Sequence, residues 1–269
     1  MPLFHLILVA LIQGVTEFLP ISSSGHLALL PLLTGLEDQG LVIDVAAHVG
    51  TLFAVVIYFW RDVKQAAIGS GRLLRGKVDT QGAWLALCLL ISCIPVIFFG
   101  LILNITGLAD ATRSVTVIGW TMLIFGALLY WADQRSTQVK TQKNLSLKDA
   151  ARLGLWQVLA LIPGTSRSGI TITGALIHGY TRTDGARFAM LMSLPVIAAS
   201  GALSGLEVMA GDVPWSDAAI VAFFSFLAAL GALALMMRLL RSVSFTPYVL
   251  YRVILGVILL WLGYTGAIT

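Results

Sequence analysis

The chain has 269 residues, of which 58% are hydrophobic and only 11% are charged. A water-soluble domain usually carries about 25% charged residues, which argues against a soluble globular enzyme. The mean hydropathy of +0.92 instead indicates a polytopic membrane protein, because the apolar residues fall in runs of roughly 20. The net charge of +4 does not indicate nucleic-acid binding, since surplus basic residues of membrane proteins lie on cytoplasmic loops.

Six apolar runs are long enough to cross a bilayer as helices. They cover residues 41–60, 84–104, 114–132, 188–206, 218–237 and 248–268. Two further segments, 3–36 and 153–180, each consist of two shorter apolar arms around a polar elbow. Such short arms are typical of re-entrant hairpins rather than of complete spans. The predicted fold class is an all-α polytopic membrane protein with six transmembrane helices and two re-entrant helical hairpins.

The basic residues orient the chain. Residues 61–83 and 133–152 each carry five Lys or Arg residues, whereas residues 207–217 carry three carboxylates and no Lys or Arg. Because cytoplasmic loops are enriched in Lys and Arg, we expect the first two segments in the cytoplasm and the third outside. The hairpin at 153–180 then opens to the cytoplasm, and the hairpin at 3–36 opens to the outside.

The two elbows are related in sequence. Residues 13–25 read QGVTEFLPISSSG and residues 157–169 read QVLALIPGTSRSG, with Gln, two Ser and the final Gly in common. Three spans follow each hairpin, and because three is odd, the second copy must have the opposite orientation. Such an inverted-topology repeat brings two broken hairpins together near the membrane midplane. The alternative is a chance similarity between two Gly/Ser-rich turns.

The predicted organisation is therefore a single membrane domain, 1–269. Its parts are a first repeat at 1–132, a cytoplasmic connecting loop at 133–152 and an inverted second repeat at 153–269.

Charged residues are rare inside membrane segments and are usually functional there. Glu17, His26 and Arg167 lie at or beside the elbows and are flanked by apolar arms. The hydroxyls and free backbone N–H groups of each elbow, at a helix N-terminus, form a ready anion site, and a guanidinium suits phosphate oxygens. Glu17 has the charge to bind Mg or Ca, or to orient His26. A serine beside a histidine, an acid and an arginine is suited to attack on phosphorus.

Each of these residues also has a purely structural alternative. A Ser-rich elbow commonly caps a helix, His26 can donate to a backbone carbonyl, and Arg167 can pair with Glu17. We favour the functional interpretation because polar and charged groups, which are costly to place in a membrane, occur at both of the related elbows. Asp44 and His48, four residues apart in the first span, are equally consistent with lining a cavity and with a structural hydrogen bond.

Both elbows resemble motifs of one known family. QGVTEFLPISSSGH and ALIPGTSRSG are similar to the (E/Q)xxxE, PxSSxGH and PGxSRSG motifs of the bacitracin-resistance family of bacterial undecaprenyl pyrophosphate phosphatases. The resemblance covers essentially the whole chain. It implies the same fold, often as a homodimer, in the bacterial inner (plasma) membrane. It also implies hydrolysis of undecaprenyl pyrophosphate to the monophosphate and inorganic phosphate, which recycles the lipid carrier for peptidoglycan synthesis and would confer bacitracin resistance.

The resemblance further implies roles for individual residues in a site facing the periplasm. Ser23 and His26 would supply the nucleophile and its proton transfer, with serine, histidine and water all open as the attacking group, and Arg167 would clamp phosphate oxygens. Glu17, with Gln13, would bind a divalent cation, Mg or Ca. Many members have Glu where this chain has Gln13. A role that needs two carboxylates at this motif is therefore weakened, and Glu17 becomes the main candidate for binding the cation. The other elbow residues would bind the substrate phosphates: Ser22, Ser24, Gly25, Gly164, Thr165, Ser166, Ser168 and Gly169.

A transporter is the competing function. Inverted repeats with broken helices are equally a transport architecture, so a polyprenyl-phosphate flippase is an alternative. Because a carrier needs anion contacts but neither a nucleophile nor a proton donor, the Ser/His/Arg/Glu set favours the enzyme. The expected partners are a polyprenyl pyrophosphate substrate and membrane lipids, without nucleic acid.

Overall fold

The computed structural model describes residues 1–35, 38–107, 114–208 and 214–266. These residues form eleven α-helices and contain no strand. In chain order the helices are α1 (Leu3–Thr16), α2 (Ser23–Thr34), α3 (Gly40–Tyr58), α4 (Trp60–Leu73), α5 (Gln81–Thr106), α6 (Val115–Arg135), α7 (Leu147–Val158), α8 (Arg167–Ile177), α9 (Arg182–Val208), α10 (Trp215–Leu239) and α11 (Thr246–Thr265).

Six of these helices have the length and hydropathy to cross a membrane, namely α3, α5, α6, α9, α10 and α11. Each coincides with one of the six predicted spans, so the prediction of a multi-pass helical membrane protein is confirmed. The largest difference is at α9, which begins at Arg182 rather than at 188. The Thr181 hydroxyl accepts a hydrogen bond from the Asp184 N–H at 3.1 Å, and this cap stabilises an additional polar turn.

The basic segment at 61–83 is largely helical, which corrects the expectation of a loop. Only Phe59 separates α3 from α4. α4 packs against α5 where Gly69 meets Gly82, and a Cβ atom on Gly69 would lie 2.1 Å from the Gly82 carbonyl carbon. Glycine is therefore required for this helix contact, as is common where backbones approach closely.

The segment between α6 and α7 is held by the turn that follows α8. The Lys140 N–H donates to the Gly179 carbonyl at 2.8 Å, and the Thr181 N–H donates to the Lys140 carbonyl at 2.9 Å. α7 then begins inside the expected connecting loop, because the Ser146 hydroxyl accepts from the Asp149 N–H at 3.1 Å and caps the helix. Helix therefore extends into both ends of the predicted connecting loop, and Lys140 attaches the remaining residues to the turn after α8.

Asp149 is one of the buried carboxylates at this end of the molecule. It accepts hydrogen bonds from the Lys140 ammonium at 3.2 Å and the Tyr180 hydroxyl at 3.0 Å. Burial alone would raise the pKa of the Asp149 carboxyl, but hydrogen bonds from Ser146, Tyr180 and Lys140 outweigh it and hold that pKa below its usual range. Burial raises the pKa of the Tyr180 phenol, so the phenol remains a donor at neutral pH.

Two further carboxylates fix the beginning of α9. Asp133 at the end of α6 accepts from the Arg182 Nε at 2.6 Å. Asp62 in α4 accepts from the Arg187 Nε at 2.9 Å. Both carboxylates are buried, so removal of either arginine would leave an uncompensated charge. These pairs join α4, α6 and α9 at one end of the bundle.

The helix packing of the first half recurs in the second. α1 and α3 pack on α10, and α7 and α9 pack on α5. Two close contacts on α10 depend on glycine: a Cβ atom would lie 2.1 Å from the Ala222 carbonyl oxygen at Gly50 and 2.6 Å from the Ala228 Cβ at Gly14. α3 also packs on α9, and the candidate site lies between these two helices and the elbows.

Candidate active site

The two elbows share one backbone feature at equivalent positions, 144 residues apart. Ser22 and Ser166 precede α2 and α8 and have φ angles of 72°, a left-handed value that is uncommon for serine. Each hydroxyl caps its helix, accepting from the N–H of Gly25 at 3.4 Å and of Gly169 at 3.2 Å. In both elbows the residue after the cap is therefore the first residue of a helix, with its backbone N–H free of an intrahelical partner.

Glu17 lies at the centre of a buried polar cluster. It follows α1 directly, and its Oε2 accepts hydrogen bonds from the Gln13 amide at 3.0 Å and the Ser23 hydroxyl at 2.6 Å. Its Oε1 accepts from Nη2 of Arg167. The structure thus brings Gln13, Glu17, Ser23 and Arg167 together, although the sequence separates Arg167 from the others by about 150 residues.

Arg167 retains a free donor on its other terminal nitrogen. Nη1 is buried and has no hydrogen-bond partner within the described ranges. Glu17 and Arg167 line a cavity of about 520 Å³ between α3 and α9, together with Asp44, His48 and apolar residues such as Val196. A cavity with a cationic base and mixed walls can accommodate an anionic head group attached to an apolar chain.

Asp44 and His48 both line this cavity. The sequence left open whether these residues line a cavity or form a structural hydrogen bond, and His48 does both. Its Nδ1 lies 2.8 Å from the Asp44 backbone oxygen. Its Nε2 lies 3.8 Å from Oε2 of Glu17. The Asp44 carboxylate accepts from the Gln39 amide at 2.8 Å. His48 is therefore the histidine nearest to the Glu17 carboxylate in the described structure.

His26 lies at the first elbow but contacts different residues. Its Nδ1 is 2.7 Å from the Ser22 carbonyl oxygen, and its Nε2 is 2.5 Å from the Tyr251 hydroxyl. The two rings are stacked, with centroids 5.6 Å apart and planes 9° from parallel. The alternative in which Glu17 orients His26 is contradicted, because Nε2 contacts Tyr251 of α11 rather than the carboxylate.

The hydroxyls predicted to bind phosphate also hold the elbows in shape. Ser24 lies 3.3 Å from the Ser22 hydroxyl, and Ser168 donates to the Leu19 carbonyl at 3.0 Å, which joins the two elbows. Thr165 is fully buried, and its hydroxyl has no partner in the part of the chain that the structure describes. Gly164 has a φ of 83°. Their phosphate-binding roles remain predictions.

Arg252 holds the two elbows together, although the sequence analysis did not identify it. It lies in α11 and is fully buried, and its guanidinium contacts no carboxylate among the described residues. It donates instead to five backbone carbonyls, at distances of 2.9 to 3.3 Å, from Pro20, Thr121, Met122, Gly164 and Thr165. These carbonyls belong to both elbows and to α6. A single Arg inside an apolar run was the signal in the sequence.

Fold and site together define a multi-pass helical membrane protein with a serine, a carboxylate and an arginine clustered where two elbows meet. The model of the family described as bacitracin resistance protein BacA matches residues 6–258. The chain belongs to this family, and the resemblance recognised in the motifs is confirmed.

Relatives named undecaprenyl-diphosphatase align over nearly the whole chain. The protein of Ruegeria pomeroyi is 64% identical over 267 residues, covering 98% of this chain and 100% of the relative. That of Dinoroseobacter shibae is 65% identical over 268 residues, with the same coverage. The more distant protein of Saccharophagus degradans is 42% identical over 257 residues, covering 95% of this chain and 96% of the relative.

Proposed function

We propose that this chain hydrolyses undecaprenyl pyrophosphate to undecaprenyl phosphate and inorganic phosphate. The activity would recycle the lipid carrier for peptidoglycan synthesis in a bacterial inner membrane. The observation that carries the proposal is the hydrogen bond from the Ser23 hydroxyl to Glu17 Oε2 at 2.6 Å, with Arg167 on the other oxygen of the same carboxylate. This set supplies a nucleophile, a base and a cation for phosphoryl transfer.

Substrate binding is assigned to the cavity beside Arg167. Nη1 of Arg167 has no protein partner among the described residues and would donate to a phosphate oxygen. The backbone N–H groups at the start of α2 and α8 would add donors, because helix N-termini favour anions. The apolar wall, which includes Val196 and Ile197, would contact the first part of the polyprenyl chain.

In the proposed reaction, Ser23 Oγ attacks the terminal phosphorus while its proton passes to Glu17. The bond between that phosphorus and the bridging oxygen breaks, and undecaprenyl phosphate leaves with the bridging oxygen and its electron pair. Water then attacks the phosphoserine, the proton held by Glu17 returns to Oγ, and the proton lost by water goes to the phosphate released. Arg167 stabilises the negative charge on the equatorial oxygens in both steps. His26, with Nε2 facing Tyr251, would act on the leaving group or its surroundings rather than on Ser23.

A divalent cation, Mg or Ca, fits the residues present. No group of three or more His, Cys, Asp or Glu side chains among the described residues is arranged to hold a metal ion, so the protein alone does not form a complete cage. Oε1 of Gln13 is nevertheless buried without a partner beside Glu17, and both side chains offer the oxygen ligands that these cations prefer. Glu17 and Gln13 would hold the cation together with pyrophosphate oxygens. When bound, the cation would neutralise phosphate charge.

The finer topology is part of the same proposal. Two re-entrant hairpins, α1–α2 and α7–α8, would begin the inverted repeats at 1–132 and 153–269. The proposal is supported by the matching elbow geometry and by the recurring packing of α1 on α10 and α7 on α5. The basic residues of 61–83 and 133–152 would lie in the cytoplasm, and the active site would then open to the periplasm.

Phosphate release from undecaprenyl pyrophosphate by the purified protein in detergent tests the assignment. Glu17→Gln and Arg167→Ala should each lower the rate by orders of magnitude. Asp79→Asn and Arg72→Ala are matched controls, because these residues form an exposed ion pair outside the cavity and should leave turnover unchanged. Near-normal turnover by either site variant would contradict the proposal.

The flippase alternative is separable in liposomes. The names of the relatives favour a hydrolase. Phosphate release without transbilayer movement of the lipid supports the enzyme alone, whereas movement without release supports the carrier.

A further inference from the structure

In its neutral form, His48 presents a nitrogen lone pair to the cavity. Its Nδ1 lies 2.8 Å from the Asp44 backbone oxygen, and because a carbonyl oxygen only accepts, Nδ1 must carry the proton. In the neutral ring Nε2 therefore has a lone pair and no proton. This tautomer follows from the hydrogen bond.

Nε2 of His48 faces a second acceptor. Oε2 of Glu17 lies 3.8 Å away, which is too far for a direct hydrogen bond. Two ligands of one divalent cation, each about 2.0–2.2 Å from the metal, lie roughly 3 to 4 Å apart. The separation of these two atoms fits a shared cation.

Gln13 provides a third ligand at the same place. Its amide nitrogen donates to Glu17 Oε2 at 3.0 Å, while its carbonyl Oε1 is buried with no partner among the described residues. A rotation of the amide by 180° exchanges these two atoms and places the oxygen 3.0 Å from Oε2 of Glu17, the same oxygen that lies nearest to His48 in this pair. The exchange places the amide nitrogen at the buried position without a partner, so the contact between the cation and Oε1 has to offset the loss of a hydrogen-bonded donor.

The charge of Arg167 does not exclude a cation here. Its guanidinium binds Oε1 of Glu17, so the two positive groups would lie on different oxygens of one carboxylate. A bound pyrophosphate would bring further negative charge to both.

We propose that Nε2 of His48 and Oε2 of Glu17 bind one divalent cation together, with Oε1 of Gln13 as a third ligand. His48 is then a metal ligand in addition to the Glu17 and Gln13 pair, and this inference rests on the proposed phosphatase site. Imidazole nitrogen suits transition metals better than it suits Mg or Ca. Mn²⁺ shares the preference of Mg and Ca for oxygen ligands and, as a transition metal, also binds an imidazole nitrogen, so it is a suitable probe of this site.

Mn²⁺ binding to the full-length protein in detergent tests the proposal without reference to activity. Electron paramagnetic resonance measures affinity, and electron spin echo modulation detects a ¹⁴N nucleus bound to the metal. The wild type should show imidazole ¹⁴N modulation. His48→Gln should lose this modulation and bind Mn²⁺ about tenfold or more weakly. His26→Gln is the matched control and should retain it, since His26 Nε2 already contacts Tyr251.

Three results would overturn the cation site: no Mn²⁺ binding by the wild type, binding without ¹⁴N modulation, or modulation that persists in His48→Gln. Phosphate release is measured on the same preparation. Release without the ¹⁴N signal overturns the His48 ligand and leaves the proposed function standing, whereas the signal without release supports the cation site and contradicts the proposed function.

Discussion

Ser23 and Arg167 occupy the same position in the two elbows, the first residue of a helix, and their side chains meet on the two oxygens of one carboxylate. Ser23 donates to Oε2 of Glu17 at 2.6 Å, and Arg167 donates to Oε1. The residues are 144 positions apart. The equivalent position thus holds a nucleophile in one elbow and a cation in the other, which is the combination that phosphoryl transfer requires.

Arg167→Lys tests whether both terminal nitrogens of Arg167 are used. Lysine keeps the charge but loses the planar fork, so a single ammonium must serve both Glu17 and the phosphate. We expect kcat/KM for undecaprenyl pyrophosphate to fall by about 10- to 100-fold, or about 1.4–2.7 kcal/mol. Arg72→Lys, on the exposed surface, should have no effect. Equal rates for Arg167→Lys and the wild type would show that the second donor is not used.

Arg252→Lys tests the link between the elbows. The guanidinium donates to five carbonyls, and lysine has only three donors on one nitrogen. Since a hydrogen bond to a charged group contributes about 1.5–3 kcal/mol, the loss of two or more should lower Tm in detergent measurably, and activity with it. Arg238→Lys, at an exposed position on α10, is the control. An unchanged Tm for Arg252→Lys would contradict this role.

The pair formed by His26 and Tyr251 is suited to a double-mutant cycle. Their hydrogen bond of 2.5 Å is lost in His26→Ala and in Tyr251→Phe alike, so the double variant should lose less than the sum of the two. We expect coupling of at least about 0.5 kcal/mol in kcat or stability. His26→Gln should also retain more activity than Glu17→Gln, because the His26 side chain is hydrogen-bonded to Ser22 and Tyr251 whereas the Ser23 hydroxyl donates to Glu17. Strict additivity would mean that the two side chains act independently.

Asp149→Asn tests the carboxylate that anchors the connecting segment. The pKa of the folded carboxyl is lowered, through hydrogen bonds that outweigh burial. Its stabilisation is therefore present above the pKa of the unfolded chain and is lost as pH falls through the lower folded value. The Tm of the wild type should exceed that of Asp149→Asn near neutrality, and the difference should shrink below about pH 4. Asp79→Asn, which is exposed, provides the comparison. A difference that stays constant into strong acid would contradict the assignment.

Much of the fold is readable from the sequence because its signals are local. The length of an apolar run suffices to predict a span, and the motifs around Ser22 and Ser166 mark both elbows. α4 was missed because its residues are basic and polar enough to resemble a loop, although it packs through Gly69. The packing of α3 on α1, which Glu17 follows directly, places His48 rather than His26 beside Glu17.

The site was predictable as a set of residues but not as a set of contacts. Glu17 and Arg167 were identified because they are charged residues in apolar segments. Arg252 is also a charged residue in an apolar segment, but it was not identified. Which oxygen meets Ser23, and which ring nitrogen of His26 meets Tyr251, depends on how the helices pack in three dimensions. No spacing within one segment encodes that arrangement.

The most direct test of the catalytic cluster is the kcat of Ser23→Ala with undecaprenyl pyrophosphate as substrate. If Ser23 Oγ is the nucleophile that Glu17 activates, release of inorganic phosphate should fall by about a thousandfold or more. Ser70→Ala, an exposed serine on α4, should turn over normally. Turnover by Ser23→Ala within a few-fold of the wild type would contradict the mechanism.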